Sequence, residues 1–256
     1  QNNRAPEQMK FGLILNTRKR TKFLVGLFNS LFEKTANLNE IEILVRGDKD
    51  DEETLTFYHE KIKHINYDNI MFIIGKEQPT NMHKSLNFLA KYSIGEYIFI
   101  LNDDVEFQTK DWDKVAYEKL DEAKQKNRDN ILYGKTNDNS VDKPPDGNYA
   151  AFPIISKGAY ETLGFVMHED FVGLGGDAAI HRVYSAVDRV ADLNDIWLDH
   201  VLHNDISKVI LPDETAHQMR LNTGRNYVDP LTLDISKDVE KLKQEIEKQR
   251  INNHGF

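Results

Sequence analysis

Cysteine is absent from this chain of 256 residues. That absence excludes disulfides and thiolate metal ligands, and it fits a reducing, cytoplasmic setting. Long apolar runs are missing too. None approaches the roughly 20 residues that cross a bilayer, so no membrane span is expected. Positive charge is in deficit: 33 Lys and Arg face 42 Asp and Glu, for a formal net charge of −9. Such a balance disfavours general adhesion to nucleic acid or an anionic membrane, and leaves only local basic patches as a route to either. There is no internal repeat and no signal-peptide pattern at the start. Residues Gln1 to Gln8 are polar and irregular. They are expected to form a leader, disordered or left over from cloning, with Met9 opening the first ordered segment.

What remains reads as a globular protein, 39% hydrophobic and 29% charged. Its length suits one large domain, or a domain with an appended subdomain, with a core that needs no staples. Phe11 to Leu15 reads as a strand ending at Asn16-Thr17-Arg18. Phe23 to Phe32 has apolar residues at helical spacing. Ile41 to Val45 is a second strand with Arg46 to Asp51 as its turn, and residues 52–64 a helix. Ile70 to Ile74 is a third strand, Asn81 to Tyr92 a helix, and residues 97–101 a fourth strand. This alternation predicts βαβ units and an α/β, Rossmann-like fold with a mostly parallel sheet.

The second half is less regular. Asn137 to Asn148 holds Pro144-Pro145 and Asp146-Gly147 and is expected to be a loop, long enough to act as a lid. Phe152 to Ser156 reads as a strand and Lys157 to Leu163 as a helix. A glycine-rich stretch, Phe165 to Gly176, precedes a helix over Asp177 to Val190. Asp195 to Leu202 alternates like a strand. In Asp234 to Arg250, Ile235, Val239, Leu242 and Ile246 form an amphipathic stripe, too short for a coiled coil and suited to docking on its own domain.

The most informative residues are Tyr97 to Phe107, where a buried-type strand runs into Asn102-Asp103-Asp104. Adjacent acids repel unless a cation shares them, and strand ends in α/β sheets are where ligands bind. A hard divalent ion with oxygen ligands, completed by phosphates, answers that arrangement; a solvated Asx turn is the bland alternative. The other strand ends should then meet a nucleotide. Thr17, Arg18 and Arg20 can hold a base or phosphates, Arg bidentately. Asp48 can accept from the imide of a uracil-like base, and Lys76 is a phosphate partner. Asn87 caps or packs.

As a set, Thr17-Arg18-x-Arg20, the strand ending near Asp48, the helix with Asn87, and Gly95 to Asp104 resemble the nucleotide-binding half of GT-A glycosyltransferases, especially family 2. The resemblance implies a D-x-D-type motif here, with Asp104 as metal ligand, Asn102 toward the ribose and Asp103 supporting both. An Asn in the first position departs from the commonest form. Phe171 to Asp177 is similar to the glycine-rich segment before the acceptor-site helix, which makes Asp177 the base for an inverting transfer. Glu169 and Asp170 are second choices, and Ala178-Ala179 stand where relatives carry further acids. The superfamily also implies a metal-binding His from a late strand. His203 is preferred and His200 is the runner-up, with Asp213 to Thr215 resembling a closing loop. His217, Arg220 and Arg225 are weaker candidates over the diphosphate.

The expected domain is therefore a GT-A-like unit over 9–230. Residues 9–134 form its nucleotide-sugar half and 150–230 its acceptor half, with a helix and tail over 231–256. The implied activity is inverting transfer from a nucleotide-sugar donor, a UDP-sugar first, to a glycan or other hydroxyl acceptor, with Mn2+ or Mg2+. Two rivals remain, a sugar-phosphate nucleotidyltransferase and a non-catalytic carbohydrate-binding protein. The first would usually carry a glycine-rich loop after strand one, which Asn16 to Arg20 lacks.

Overall fold

The computed structural model describes residues 8–75, 81–139, 149–171, 175–201 and 228–253. Lys76, His203, His217, Arg220, Arg225 and Asp213 to Thr215 lie outside them. The elements run β1 (Phe11–Asn16), α1 (Thr21–Lys34), β2 (Ile41–Asp48), α2 (Glu52–Glu60), β3 (Ile70–Gly75), α3 (Met82–Ala90), β4 (Tyr97–Ile100), β5 (Val105–Phe107) and α4 (Trp112–Asn127). They continue with β6 (Tyr133–Asp138), β7 (Ile154–Ser156), α5 (Lys157–Leu163), α6 (Gly176–Ser185), β8 (Val190–His200) and α7 (Ser236–Asn253).

One eight-stranded sheet has the order β3-β2-β1-β4-β7-β6-β8-β5. The pairs β3–β2, β2–β1 and β1–β4 are parallel. β7 runs antiparallel between β4 and β6, β6 and β8 are parallel, and β5 closes antiparallel on β8. The chain steps outward from β1 to β3 and then returns to place β4 on the other side of β1. That reversal opens a crevice at the C-terminal ends of β1 and β4.

Both faces of the sheet are covered at β1 and β4, which is why these parallel strands are apolar along their length rather than alternating. Phe11, Leu13, Leu15, Tyr97, Phe99 and Leu101 pack with α1 and with Trp112, Ala116 and Leu120 of α4. Ile14, Ile98 and Ile100 point the other way, into a core with Leu86 and Leu89 of α3 and residues of α5 and α6. α7 lays Leu242 and Ile246 into that second core. No described helix is long and apolar enough to cross a membrane.

Three expectations need correcting. β2 does not stop at Val45: Arg46-Gly47-Asp48 continue it and pair with Ile73 to Gly75. A side chain at residue 75 would collide with the Arg46 guanidinium, so Gly75 gives Arg46 its place. The helix after Asp177 ends at Ser185, not Val190. Asp188, at φ 55°, takes the left-handed turn that starts β8. Finally, Tyr133 to Asp138 is a strand inside the sheet, so part of the expected loop over 137–148 belongs to β6.

Candidate active site

Asp103 and Asp104 follow β4 after Leu101 and Asn102 and open into the crevice beside β1. Both are buried, while Asn102 is half-buried and more open. Thr17, just past β1, donates through Oγ1 to Asp103 Oδ2 at 2.8 Å. The Arg20 fork spans both acids: Nη1 lies 3.1 Å from Asp103 Oδ1 and Nη2 2.6 Å from Asp104 Oδ2. Toward Asp104 the fork makes a charge contact rather than a directed hydrogen bond. Burial pushes the Asp103 carboxyl up, the neighbouring Asp104 charge adds to this, and Arg20 and Thr17 oppose it. At Asp104 burial acts in the same upward direction, but His200 and Arg20 outweigh it and hold that carboxyl low.

The chain bends sharply to aim Arg20 this way. Lys19 sits at φ 49°, and its N–H donates to Asp51 Oδ2 at 2.7 Å. The other oxygen of Asp51 accepts from Thr54 N at 3.0 Å and caps α2. Asp51 therefore ties the β1–α1 turn to the start of α2.

Arg18 points toward β2 instead. Its Nη1 is 3.2 Å from Asp48 Oδ2, and it grips Asp50 bidentately at 2.8 and 2.9 Å. Arg46 Nη1 holds the other Asp48 oxygen at 2.6 Å. Asp48 is thus a buried acid fixed between two guanidiniums. Asp50 is exposed, and the hydrogen bond from Arg18 lowers its carboxyl. Sequence reasoning placed Asp50 in a turn and gave it no role.

His200 ends β8 and brings Nε2 to 3.4 Å from Asp104 Oδ2. Phe152 meets its ring edge-on at 5.1 Å, and Asn139 Oδ1 accepts from its backbone N–H at 2.7 Å. The Asp104 carbonyl also accepts from Val201 N at 2.9 Å, locking the acid turn to the end of β8. Phe152 and Asn139 carried no signal in the sequence, because they act only through the pairing of distant strands.

α3 connects this edge to Asp177. Asn16, at the end of β1, accepts from Ser85 Oγ on α3. Asn81 caps α3 and donates to Glu169 O at 2.6 Å. Asn87 is a buried latch: it donates to Met167 O at 2.8 Å and accepts from Val166 N and Met167 N at 2.9 and 3.0 Å. His83 donates or accepts through Nδ1 at His168 O, 2.9 Å away, and its ring occupies the space a side chain at Gly176 would need. Only glycine lets α6 approach so closely. Asp177 stands in the first turn of α6, half-buried, with Oδ1 2.9 Å from Ala178 N. Buried Tyr133 is its neighbour; burial raises that phenol far above its ordinary range, and the Asp177 charge adds to the shift. Ala179 faces the core. Glu169 is drawn back to Asn87, 3.1 Å away, and Asp170 sits 3.6 Å from His168.

The donors present fit a hard divalent ion. Asp104 Oδ1 is buried and has no hydrogen-bond partner, and Oδ2 of the same carboxylate faces His200. The described residues gather no cluster of three His, Cys, Asp or Glu. An ion here would take Asp104 and His200 from the described residues and complete its shell with phosphate and water oxygens.

The family model described as "Glycosyl transferase family 2" matches residues 13–179, well over half of the chain. No curated protein matches in sequence. Solved structures match in fold. TarS 1–349 of S. aureus in complex with UDP has a TM-score of 0.57 at 16% identity, covering 97% of this chain and 74% of that one. The same TarS fragment with UDP-GlcNAc gives 0.58 at 15%, covering 94% and 72%. The mannosyltransferase PcManGT from Pyrobaculum calidifontis, in complex with GDP-Man and Mn2+, gives 0.60 at 13%, covering 99% and 73%. The sheet and flanking helices described above are those of the GT-A fold.

Proposed function

This chain belongs to glycosyl transferase family 2, and from that premise we propose that it transfers a sugar, with inversion, from a nucleoside-diphosphate donor to an acceptor hydroxyl, assisted by Mn2+ or Mg2+. The observation that carries the reading is the unpartnered, buried Oδ1 of Asp104, at the switch point of the sheet beside His200 and Arg20. A buried polar atom left without a partner at a ligand crevice is poised for one that comes with the substrate.

The residues divide the work. Asp104 and His200 hold the divalent ion, which when bound supplies Lewis acidity toward the leaving diphosphate. Asp103, steadied by Thr17, supports the Asp104 turn. Asn102, the most open of the three, faces the ribose. Arg20 is offered to the phosphates, with Arg18 as a second candidate from beside Asp48, because the arginine fork matches phosphate oxygens. Asp48, fixed by Arg18 and Arg46, accepts from the base, with a UDP-sugar as the first donor to try; Lys76 and His203 are further candidates for phosphate and metal. Asp177 takes the proton of the acceptor hydroxyl as it attacks the anomeric carbon from the face opposite the diphosphate. Glu169 is a poorer base because its carboxylate is turned onto Asn87.

The test is release of nucleoside diphosphate from a panel of UDP- and GDP-sugars with Mn2+ and glycan acceptors. Asp177→Asn should lower transfer by roughly a hundredfold to ten-thousandfold, the range of a lost general base, while calorimetric donor binding stays. Undiminished transfer, or a loss of transfer accounted for by lost donor binding, would refute the role of Asp177.

A further inference from the structure

Arg20 stands on the only described contact that Asp103 and Asp104 share with a side-chain cation: Nη1 at 3.1 Å from one acid, Nη2 at 2.6 Å from the other. Its side chain is 26% exposed, against 3% and 5% for the acids. Arg20 is thus more open than either acid, although its Nη2 is itself buried against Asp104. It is also supported from its own helix, stacking at 5.2 Å over the Phe23 ring. Backbone geometry holds it there: the left-handed Lys19 is pinned by Asp51.

A divalent ion bound through Asp104 would meet that guanidinium at a carboxylate oxygen, and like charges so close repel. We propose, resting on the donor reading above, that Arg20 is the resident counter-ion of the acid pair, displaced from Asp104 when the metal binds and passed to the diphosphate that arrives with it. One residue then couples the two ligands. Metal alone must push Nη2 off Asp104 and leave Arg20 only its contact with Asp103. Metal with nucleoside diphosphate gives the displaced fork phosphate oxygens in place of the Asp104 oxygen, a match arginine makes bidentately. Arg20 thereby weakens metal binding in the empty site and strengthens it in the loaded one. Coupling of this kind is reciprocal, so the metal must tighten diphosphate binding by the same factor.

The experiment measures Mn2+ affinity directly, from the EPR signal of free Mn2+, with and without UDP or GDP, in the wild type, Arg20→Gln and Arg20→Lys. No turnover is involved. Arg20→Gln should bind Mn2+ alone roughly tenfold more tightly than wild type, and the tightening of Mn2+ by nucleotide should shrink by a similar factor, within the usual span of coupling between sites. Arg20→Lys keeps the charge and should stay within about threefold of wild type for Mn2+ alone. Thermal melts confirm that each variant is folded, and Arg20→Lys carries the comparison if Arg20→Gln is not: it must lose part of the nucleotide effect, since it lacks the fork. Equal or weaker Mn2+ binding in Arg20→Gln, or undiminished coupling in both variants, overturns the counter-ion role while leaving the metal site standing. Absence of Mn2+ binding in every protein, with and without nucleotide, overturns the role together with the donor reading beneath it.

Discussion

The N-terminal end of the sheet and the acid pair after β4 bury carboxylates in opposite ways. At the N-terminal end, Glu42 Oε1 accepts from Ser93 Oγ, Ile94 N and Gly95 N at 2.8, 2.6 and 2.9 Å. Asp129, ahead of β6, is clasped by Arg189 through Nε and Nη2 at 2.9 to 3.1 Å and also accepts from Ile131 N at 3.1 Å. The remaining arm of Arg189 donates to Val187 O and Asp188 O. At the C-terminal end, Asp103 and Asp104 share one arginine, and Asp104 Oδ1 is the one buried carboxylate oxygen among the described residues with no partner. Saturated acids at one end fasten loops to strands. The incomplete acid at the other end gives up stability for a ligand, as functional sites commonly do.

Substitutions can break this contrast. The largest effect is expected at Asp129→Ala, which leaves buried Arg189 without its counter-charge and should cost about 3–5 kcal/mol of folding stability in urea titrations. Mn2+ affinity of the folded protein should not change, and stability close to wild type would erase the distinction between the two ends. Next comes Asp104→Asn, for which turnover should fall by roughly a hundredfold or more while stability falls by less than in Asp129→Ala, because the lost attraction to Arg20 and His200 is partly offset by the burial of the charge that opposed it. A large loss of stability there would make Asp104 a structural acid like Asp129. The smallest effect is expected at Glu42→Gln. It keeps an oxygen for the three donors but loses charge assistance, and should cost about 1–2 kcal/mol with kcat unaltered.

The same division governs what the sequence made legible. β1, β4 and the acids after β4 announce themselves because strands buried on both faces must be apolar along their length, and the polar break marks their end. β6 does not. Tyr133-Gly-Lys-Thr-Asn-Asp138 lacks the apolar run of a buried strand, yet it is one, and Gly134 is there because Leu193 of β8 leaves no room for a side chain. Arg46-Gly47-Asp48 misleads in the same manner: its polar residues stay in β2 because they pair with one another and with Arg18. The turn into β8 has no glycine to mark it; Asp188 adopts the left-handed conformation instead. In the site, residue types and strand-end positions were legible, and so was His200 as one of two histidine choices. The grip of Arg20 on both acids, the seat that Phe152 and Asn139 give His200, and the α3 latch from Asn16 to Gly176 depend on contacts between distant segments.

The central claim is that the C-terminal end of the sheet holds a nucleoside diphosphate together with a divalent ion on Asp104. Calorimetric titration of UDP and GDP into the protein, first with Mn2+ and then after EDTA, tests it most directly. The account predicts saturable binding of one nucleotide with Mn2+, weakened at least tenfold by chelation as expected when a metal bridges protein and phosphate. Nucleotide binding of equal strength before and after EDTA would contradict it.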